Sequence, residues 1–293
     1  MRKFVLLCLL CSWAGCAVAG QVIYVAKEQR TLYDRDLYLY ELLDLALKKA
    51  QFDVQIEHVK VHPHQQRTLL ALGQGEVDLH WSMTSPEREQ LATAIRVPLF
   101  KGFIGKRALL VNKSHLSQFD EIKSLADLSK LTAVQGHDWP DTKILGHNNL
   151  SVRPMANYKA MFAMISRGRL DYFPRSFIEV GAELANQKTD NLVVLPSIYL
   201  HYPSAFYFFV NKEKPQLANA LTKGLARLQA SGEFDALFER YFADVLAKLP
   251  FDKDTQVLEL QNPYFEIPVT AELSTPPVVL NDSQAIPSKS KKH

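Results

Sequence analysis

Cysteine is nearly missing from this chain: Cys8, Cys11 and Cys16 are the full complement, and none follows. Beyond residue 16 there can be no disulfide framework and no thiolate metal site, so stability must come from a packed core. Long apolar runs are also missing after the first twenty residues. No later segment approaches the roughly 20 apolar residues a membrane span needs, so the protein is not expected to span a membrane. Charge of one sign is scarce too. The formal net charge is +3, and smaller still without Arg2 and Lys3, so no nucleic-acid partner is expected. His58, His62 and His64 in "EHVKVHPH" match no strong zinc spacing and read as a surface loop; neither metal nor cofactor is expected. There is no internal repeat between the halves.

What is present suits a globular protein. An apolar fraction of 47% over 293 residues can fill two lobes of ordinary size. The start "MRKFVLLCLLCSWAGCAVAG" has a basic n-region, an apolar stretch and the small-residue pattern Ala17, Val18, Ala19. It reads as a secretory signal over residues 1–19, cleaved after Ala19. A second reading takes "WAGC" as a lipoprotein site that leaves Cys16 acylated, although Trp13 stands where an aliphatic residue is usual.

From Gln21 strand-like and helix-like stretches alternate. "VIYVA", "VQIEHVKV" and "SAFYFFVNK" read as strands, and "DLYLYELLDLALKKA" and "RTLLALGQG" read as helices. "NYKAMFAMISRG", "LDYFP", "FIEVGAELANQ" and "NLVVLP" form a second α/β series, and a long terminal helical region breaks near Gly232. The βαβα order predicts mostly parallel sheets with helices on their faces. From Phe251 the chain turns Pro, Ser and Lys rich, so residues 251–293 are expected to be extended and partly disordered.

The stretch "GEVDLHWSMTSPERE", residues 75–89, concentrates polar groups after a strand. Val77 to Trp81 reads as a buried strand, Ser85 as an N-cap and Pro86 as the first helical residue. Arg88 then lies in the first helical turn, where the backbone already carries partial positive charge, and needs a partner. That partner is Glu87, Glu89 or a neighbouring acid, or a bound anion.

Four features in order resemble the family 3 solute-binding proteins, which have the type II periplasmic binding-protein fold. They are "VIYVA" with its amphipathic helix; "GEVDLHWSMTSPERE" with "VPLFKG"; "GRLDYFP" after a helix; and "GLARLQASGEFDALFERYF". The resemblance covers about residues 21 to 245. It implies an α/β chain of two lobes, each with a mixed or parallel sheet, joined by a hinge of two crossover strands. Lobe 1 would hold residues 20–105 and 205–250 and lobe 2 residues 106–204. The implied function is a periplasmic protein, expected to be monomeric, that closes its lobes on a small polar, carboxylate-bearing ligand and delivers it to a membrane permease of an ABC-type transporter.

By the same resemblance Arg88 matches the arginine that grips a ligand carboxylate, a role its planar fork suits. Ser82, Thr84 or Ser85 would add a donor, since Met83 stands where the family has Ser or Thr. Trp81 and Tyr33 would line the cleft. His137 and Asp138 lie in a loop expected to touch ligand; the alternative is that Asp138 or Asp141 caps a helix and Trp139 packs the lobe. Where the family presents an aspartate to a ligand ammonium, this chain has Arg175 and Ser176. If Arg30, Arg88 and Arg175 all face the cleft, the ligand is more anionic than a neutral amino acid. An enzyme is not expected. The alternatives are an enzyme resembling the periplasmic cyclohexadienyl dehydratases, with Glu28, His137, Asp138 and Glu179 as candidate acids and bases, or a sensor that reports ligand to a membrane receptor.

Overall fold

A computed structural model describes residues 21–27, 33–62, 64–187 and 189–265. Residues 1–20 with their three cysteines, Arg30 and the last 28 residues (266–293) lie outside these segments. The chain opens with β1 (Gln21–Lys27), α1 (Asp34–Lys49), β2 (Val54–Lys60), α2 (Gln65–Gly73), β3 (Leu79–Met83), α3 (Pro86–Leu91) and β4 (Thr93–Ile95). It continues through β5 (Lys106–Asn112), α4 (Leu125–Leu128), β6 (Thr132–Gly136), α5 (Pro140–His147) and β7 (Ser151–Met155). Then follow α6 (Tyr158–Ser166), β8 (Tyr172–Ser176), α7 (Phe177–Ala185) and β9 (Leu192–His201). The last elements are β10 (Phe206–Val210), α8 (Pro215–Ala230), α9 (Glu233–Ala247) and β11 (Gln256–Glu259).

Two sheets result. The first has the order β2-β1-β3-β10-β4, the second β11-β9-β5-β8-β6-β7. In the first, β3 lies between β1 and β10, and all five residues of its "LHWSM" are buried. At the edge, β2 alternates half-buried and exposed residues from Val54 to Glu57, as a strand covered on one face should. Both sheets are mixed: β10 runs antiparallel to β3 and β4, and β5 antiparallel to β8 and β9. Strand β5 was not anticipated from "KRALLVN", although that continuous apolar run suits a strand buried on both faces. The strand expected at Val77 to Trp81 runs two residues later, to Met83.

Local chemistry sets the helix ends. The Asp36 carboxylate accepts from the Tyr33 backbone N–H at 2.9 Å, and Lys48 and Lys49 close α1 where cations are favoured. The terminal helical region breaks at Gly232, whose φ of +76° is open to glycine at no steric cost. The chain passes from the first sheet to the second between β4 and β5, where Gly105 lies, and back between β9 and β10, around Tyr202–Ala205; these two passages are the crossovers between the lobes. The Tyr202 N–H donates to the Gly105 carbonyl at 3.2 Å. A Cβ on Gly105 would lie 2.2 Å from the Tyr202 oxygen, so the crossovers touch only because residue 105 is glycine.

The described part of the stretch expected to be extended is ordered against the second sheet. It forms β11, which extends the second sheet beside β9 and buries Leu258 and Leu260. Four residues of strand that dock on an existing edge need little periodicity of their own, which is why this strand was not legible in advance.

Helix α8 packs on α1 through Gly224, where a Cβ would sit 1.9 Å from the Ala46 carbonyl oxygen. Helix propensity favours Gly224→Ala by about 1 kcal/mol, but the clash is with backbone and cannot be relieved by a rotamer change. The substitution is expected to destabilise the protein by about 1–3 kcal/mol, measured as a lower midpoint in urea or thermal unfolding.

Candidate functional site

Between the lobes lies a cavity of about 500 Å³. Tyr33, Arg35, Gln65, Met83 and Phe206 line it from the first lobe, and Ile104 and Arg107 from the crossover region. Lobe 2 contributes Asp138, Trp139, Asp141, Tyr158, Arg175, Glu179 and Glu183.

The lobe 2 wall is built at the junction of β8 and α7. Ser176 caps α7 by accepting from the Ile178 N–H, which places Glu179 in the first turn and Glu183 one turn later on the same face. Arg175, the residue before the cap, reaches both acids. Its Nε and Nη2 fork onto Glu183 at 2.7 and 2.6 Å, and Nη2 lies 3.0 Å from Glu179. Its guanidinium stands 4.8 Å from the Trp139 ring centroid and 5.1 Å from that of Phe173. Trp139 can lie there because Gly136 has no side chain: a Cβ would be 2.4 Å from the indole. Tyr158 donates its hydroxyl to Glu183 at 2.6 Å.

Glu179 joins this wall to the rest of the molecule. Arg35 of α1 donates to it across the cleft at 2.5 Å, and Arg107 of β5 stands at 3.8 Å. Arg107 in turn pairs with Asp141 at 2.6 Å, and Asp141 also accepts from the Tyr202 hydroxyl. Burial alone would raise the Glu179 carboxyl; Arg175, Arg35 and Arg107 overcome that and hold it down to about 2. Burial would likewise lower Arg175, yet Glu179 and Glu183 raise it well above the usual guanidinium value.

Arg88 is placed differently from the other arginines. It is 2% exposed, and its guanidinium donates to uncharged acceptors. Nη1 donates to the Ser82 hydroxyl and, at 3.0 Å, to the Met83 carbonyl. Nη2 donates to Gln65 Oε1 at 3.0 Å and, across the cleft, to the Asp138 carbonyl at 2.9 Å. The acidic neighbours expected as partners are engaged elsewhere. Glu87 takes Lys143 of lobe 2 at 2.6 Å, while Glu89 takes Arg96 and, at 2.7 Å, the Thr84 hydroxyl. Burial accordingly pushes the Arg88 guanidinium down to about 10. Gln65, Met83 and Asp138 line the cavity, so Arg88 sits directly behind that part of the wall.

Of the residues expected at the site, Tyr33, Asp138 and Arg175 line the cavity. Ser82 lies with Arg88 behind it, Ser85 caps α3, and Thr84 is bound to Glu89. Trp81 is turned into the lobe 1 core against Tyr40 and Phe208. His137 is half exposed at the cleft edge, its ring 5.0 Å from that of His64 in the other lobe. Asp138 accepts from the Gln66 N–H at 3.0 Å, so it caps a helix of the opposite lobe rather than its own. Arg30 falls outside the described residues. Sequence reasoning missed Arg35, Gln65, Arg107, Tyr158 and Glu183, and weighed Glu179 only as a catalytic candidate. The helical spacing of Glu179 and Glu183 after Arg175 was the available signal for two of them.

Residues 38–244 match the family described as bacterial extracellular solute-binding proteins, family 3. The chain belongs to that family. A curated relative, described as "Probable histidine-binding protein" of Neisseria gonorrhoeae, is 25% identical over 213 residues, 69% of this chain and 73% of the relative. Two solved structures share the fold. The GluR0 ligand-binding core in complex with L-glutamate has a TM-score of 0.59 at 14% identity, covering 76% of this chain and 99% of its own. An ancestral amino acid-binding protein, a precursor of cyclohexadienyl dehydratase, has a TM-score of 0.56 at 19% identity, covering 75% and 95%. This family 3 chain therefore has the two-lobed α/β fold of amino-acid-binding proteins, and the cavity lies between its lobes.

The network yields a stability prediction. Glu179→Gln keeps the shape but leaves Arg35, Arg107 and Arg175 short of a buried countercharge, which is expected to cost about 3–5 kcal/mol in chemical denaturation. A depressed carboxyl stabilises above its unfolded value, 4.5 here, and loses that contribution as pH falls toward about 2. The variant's stability should therefore fall less steeply than the parent's over that window.

Proposed function

We propose that this chain is a periplasmic binding component that closes its lobes on an amino-acid-like zwitterion and delivers it to an ABC-type membrane transporter. The observation that carries this reading is the charge balance of the cavity. Its wall has four cations, Arg35, Arg107, Lys159 and Arg175, against four anions, Asp138, Asp141, Glu179 and Glu183. Arg35, Arg107 and Arg175 are each already in contact with a carboxylate. A strongly anionic ligand would find no unmatched guanidinium among these three, so the more anionic ligand suggested by Arg30, Arg88 and Arg175 in the sequence is not the one we favour.

Arg88 is the anion anchor in this reading. A buried guanidinium held only by neutral acceptors gains most from a carboxylate. The ligand carboxylate replaces Gln65 Oε1 and the Asp138 carbonyl on Nη2, and its ammonium faces the carboxylates of lobe 2. Trp139, Tyr158, Phe206 and Met83 supply apolar surface for a sizeable side chain. The cavity volume falls within the roughly 300–1,000 Å³ usual for small-molecule sites. Glu179 is held ionised by three arginines and has no proton to donate at neutral pH, which supports binding over acid catalysis. The relatives' descriptions name binding of histidine and L-glutamate, both amino acids.

A thermal-shift screen against amino acids, dicarboxylates, sugar acids and prephenate tests this. Zwitterionic amino acids with large side chains are expected to raise the melting temperature by roughly 5–10 °C at 100 times the dissociation constant. Arg88→Ala should weaken that ligand by about 2–5 kcal/mol in calorimetric titration while leaving the fold intact. Shifts confined to dicarboxylates, turnover of prephenate, or an unchanged affinity in the variant would each overturn the reading.

A further inference from the structure

The family match ends at residue 244, and the chain beyond it takes a path that joins both lobes. Helix α9 belongs to lobe 1, where Phe234, Leu237, Phe238 and Phe242 are buried in the core. Four residues past the end of the helix, Phe251 stacks on Phe177 of lobe 2, with ring centroids 4.7 Å apart, and also meets Tyr199 at 5.2 Å. The Thr255 hydroxyl donates to the Pro196 carbonyl at 3.2 Å. Strand β11 then pairs parallel with β9, from Gln256 beside Ile198 to Glu259 beside His201. The Leu260 N–H extends the pairing to the His201 carbonyl at 2.8 Å, and Gln261 exchanges two hydrogen bonds with Asn148, at 2.9 and 2.8 Å.

The segment next reaches the second crossover. Asn262 donates through Nδ2 to the Pro203 carbonyl at 2.8 Å. Phe265 packs against the lobe 1 cluster that contains Val61, Leu69, Ala205 and Tyr207. The chain thus leaves lobe 1 at the end of α9, is fastened along the lobe 2 sheet edge, passes over the crossover and returns to lobe 1.

We propose that residues 250–265 form a strap across the hinge that favours the closed arrangement of the lobes, with Asn262 and Phe265 as its clasp. Lobes joined by two short crossovers can rotate about them; a third attachment, formed in the arrangement where Arg35 meets Glu179 and Arg88 meets Asp138 across the cleft, is strained or released when they part. The attachments differ in strength. The lobe 2 stretch has a four-residue strand ladder, two buried leucines and a pair of aromatic contacts, whereas the crossover is held by one side-chain hydrogen bond and lobe 1 by one partly buried ring. Opening therefore releases the clasp and leaves β11 in place. Closure of the cleft and engagement of the clasp share one equilibrium, so weakening the clasp shifts the population of closed molecules without altering any cavity residue.

The test uses inter-lobe distances. The only native cysteines lie within the first 16 residues. In the secreted protein freed of its leader, cysteines introduced at Glu121 and Lys223, exposed positions on lobe 2 and lobe 1, carry spin labels. Pulsed dipolar spectroscopy without ligand is compared between this parent and Asn262→Ala/Phe265→Ala, with thermal unfolding as the check that both fold. The expected result is a longer-distance population in the clasp variant that is smaller or missing in the parent. Should the double variant unfold, Asn262→Ala alone, which removes only one hydrogen bond, gives the same comparison. Identical distance distributions in parent and folded variant would overturn the proposal, whatever ligand the cavity proves to take.

Discussion

Glu179 is the constraint on which the arrangement of the cavity depends. It is buried, ionised and shared among arginines from three separate elements, α1, β5 and β8. A carboxylate cannot be removed from water at this depth unless cations and hydrogen-bond donors surround it. Those cations in turn cannot be buried without their own acids, which is why Arg107 has Asp141 and Arg175 has Glu183. The wall of the cavity is a set of charges that neutralise one another, and it spans both lobes and the crossover between them.

This arrangement separates two roles that the sequence presents as one. Arg88 and Arg175 are both buried arginines near the cleft, and residue type alone makes them equivalent. Their surroundings do not. Arg175 is matched by two glutamates and stacked on aromatic rings, so its charge is absorbed within lobe 2. Arg88 is met by a hydroxyl, two carbonyls and an amide, so its charge is solvated without being neutralised. Neutral acceptors solvate a guanidinium as water does, and they are also the groups a carboxylate can displace.

Much of the fold was legible in the sequence because burial on one face imposes a period. The helices at Asp34–Lys49 and Phe177–Ala185, the break at Gly232 and the cap at Ser85 each follow from local chemistry. Strand β5 was harder to read, because an element buried on both faces has no alternation and "KRALLVN" follows a predicted crossover without a turn signal. Strand β11 was harder still: it is held by the edge of β9, and that edge is set by residues some sixty positions away. Trp81 illustrates the same limit, since a strand residue next to a candidate loop can face either side, and the sheet turned it toward Tyr40 and Phe208.

The sequence by itself determined the α/β class, the order of its elements, the helix start that presents Arg88, and the lack of any disulfide beyond residue 16. These are set by spacing along the chain, by capping groups and by composition, all of which act over a few residues. Only the tertiary structure decided which charges meet. Arg35 and Glu179 are 144 positions apart, Arg88 and Asp138 fifty, and Pro203 and Asn262 fifty-nine. Their pairing follows from the lobes facing each other across the crossovers, and a charge reveals its partner only once the chain has brought the two out of water together.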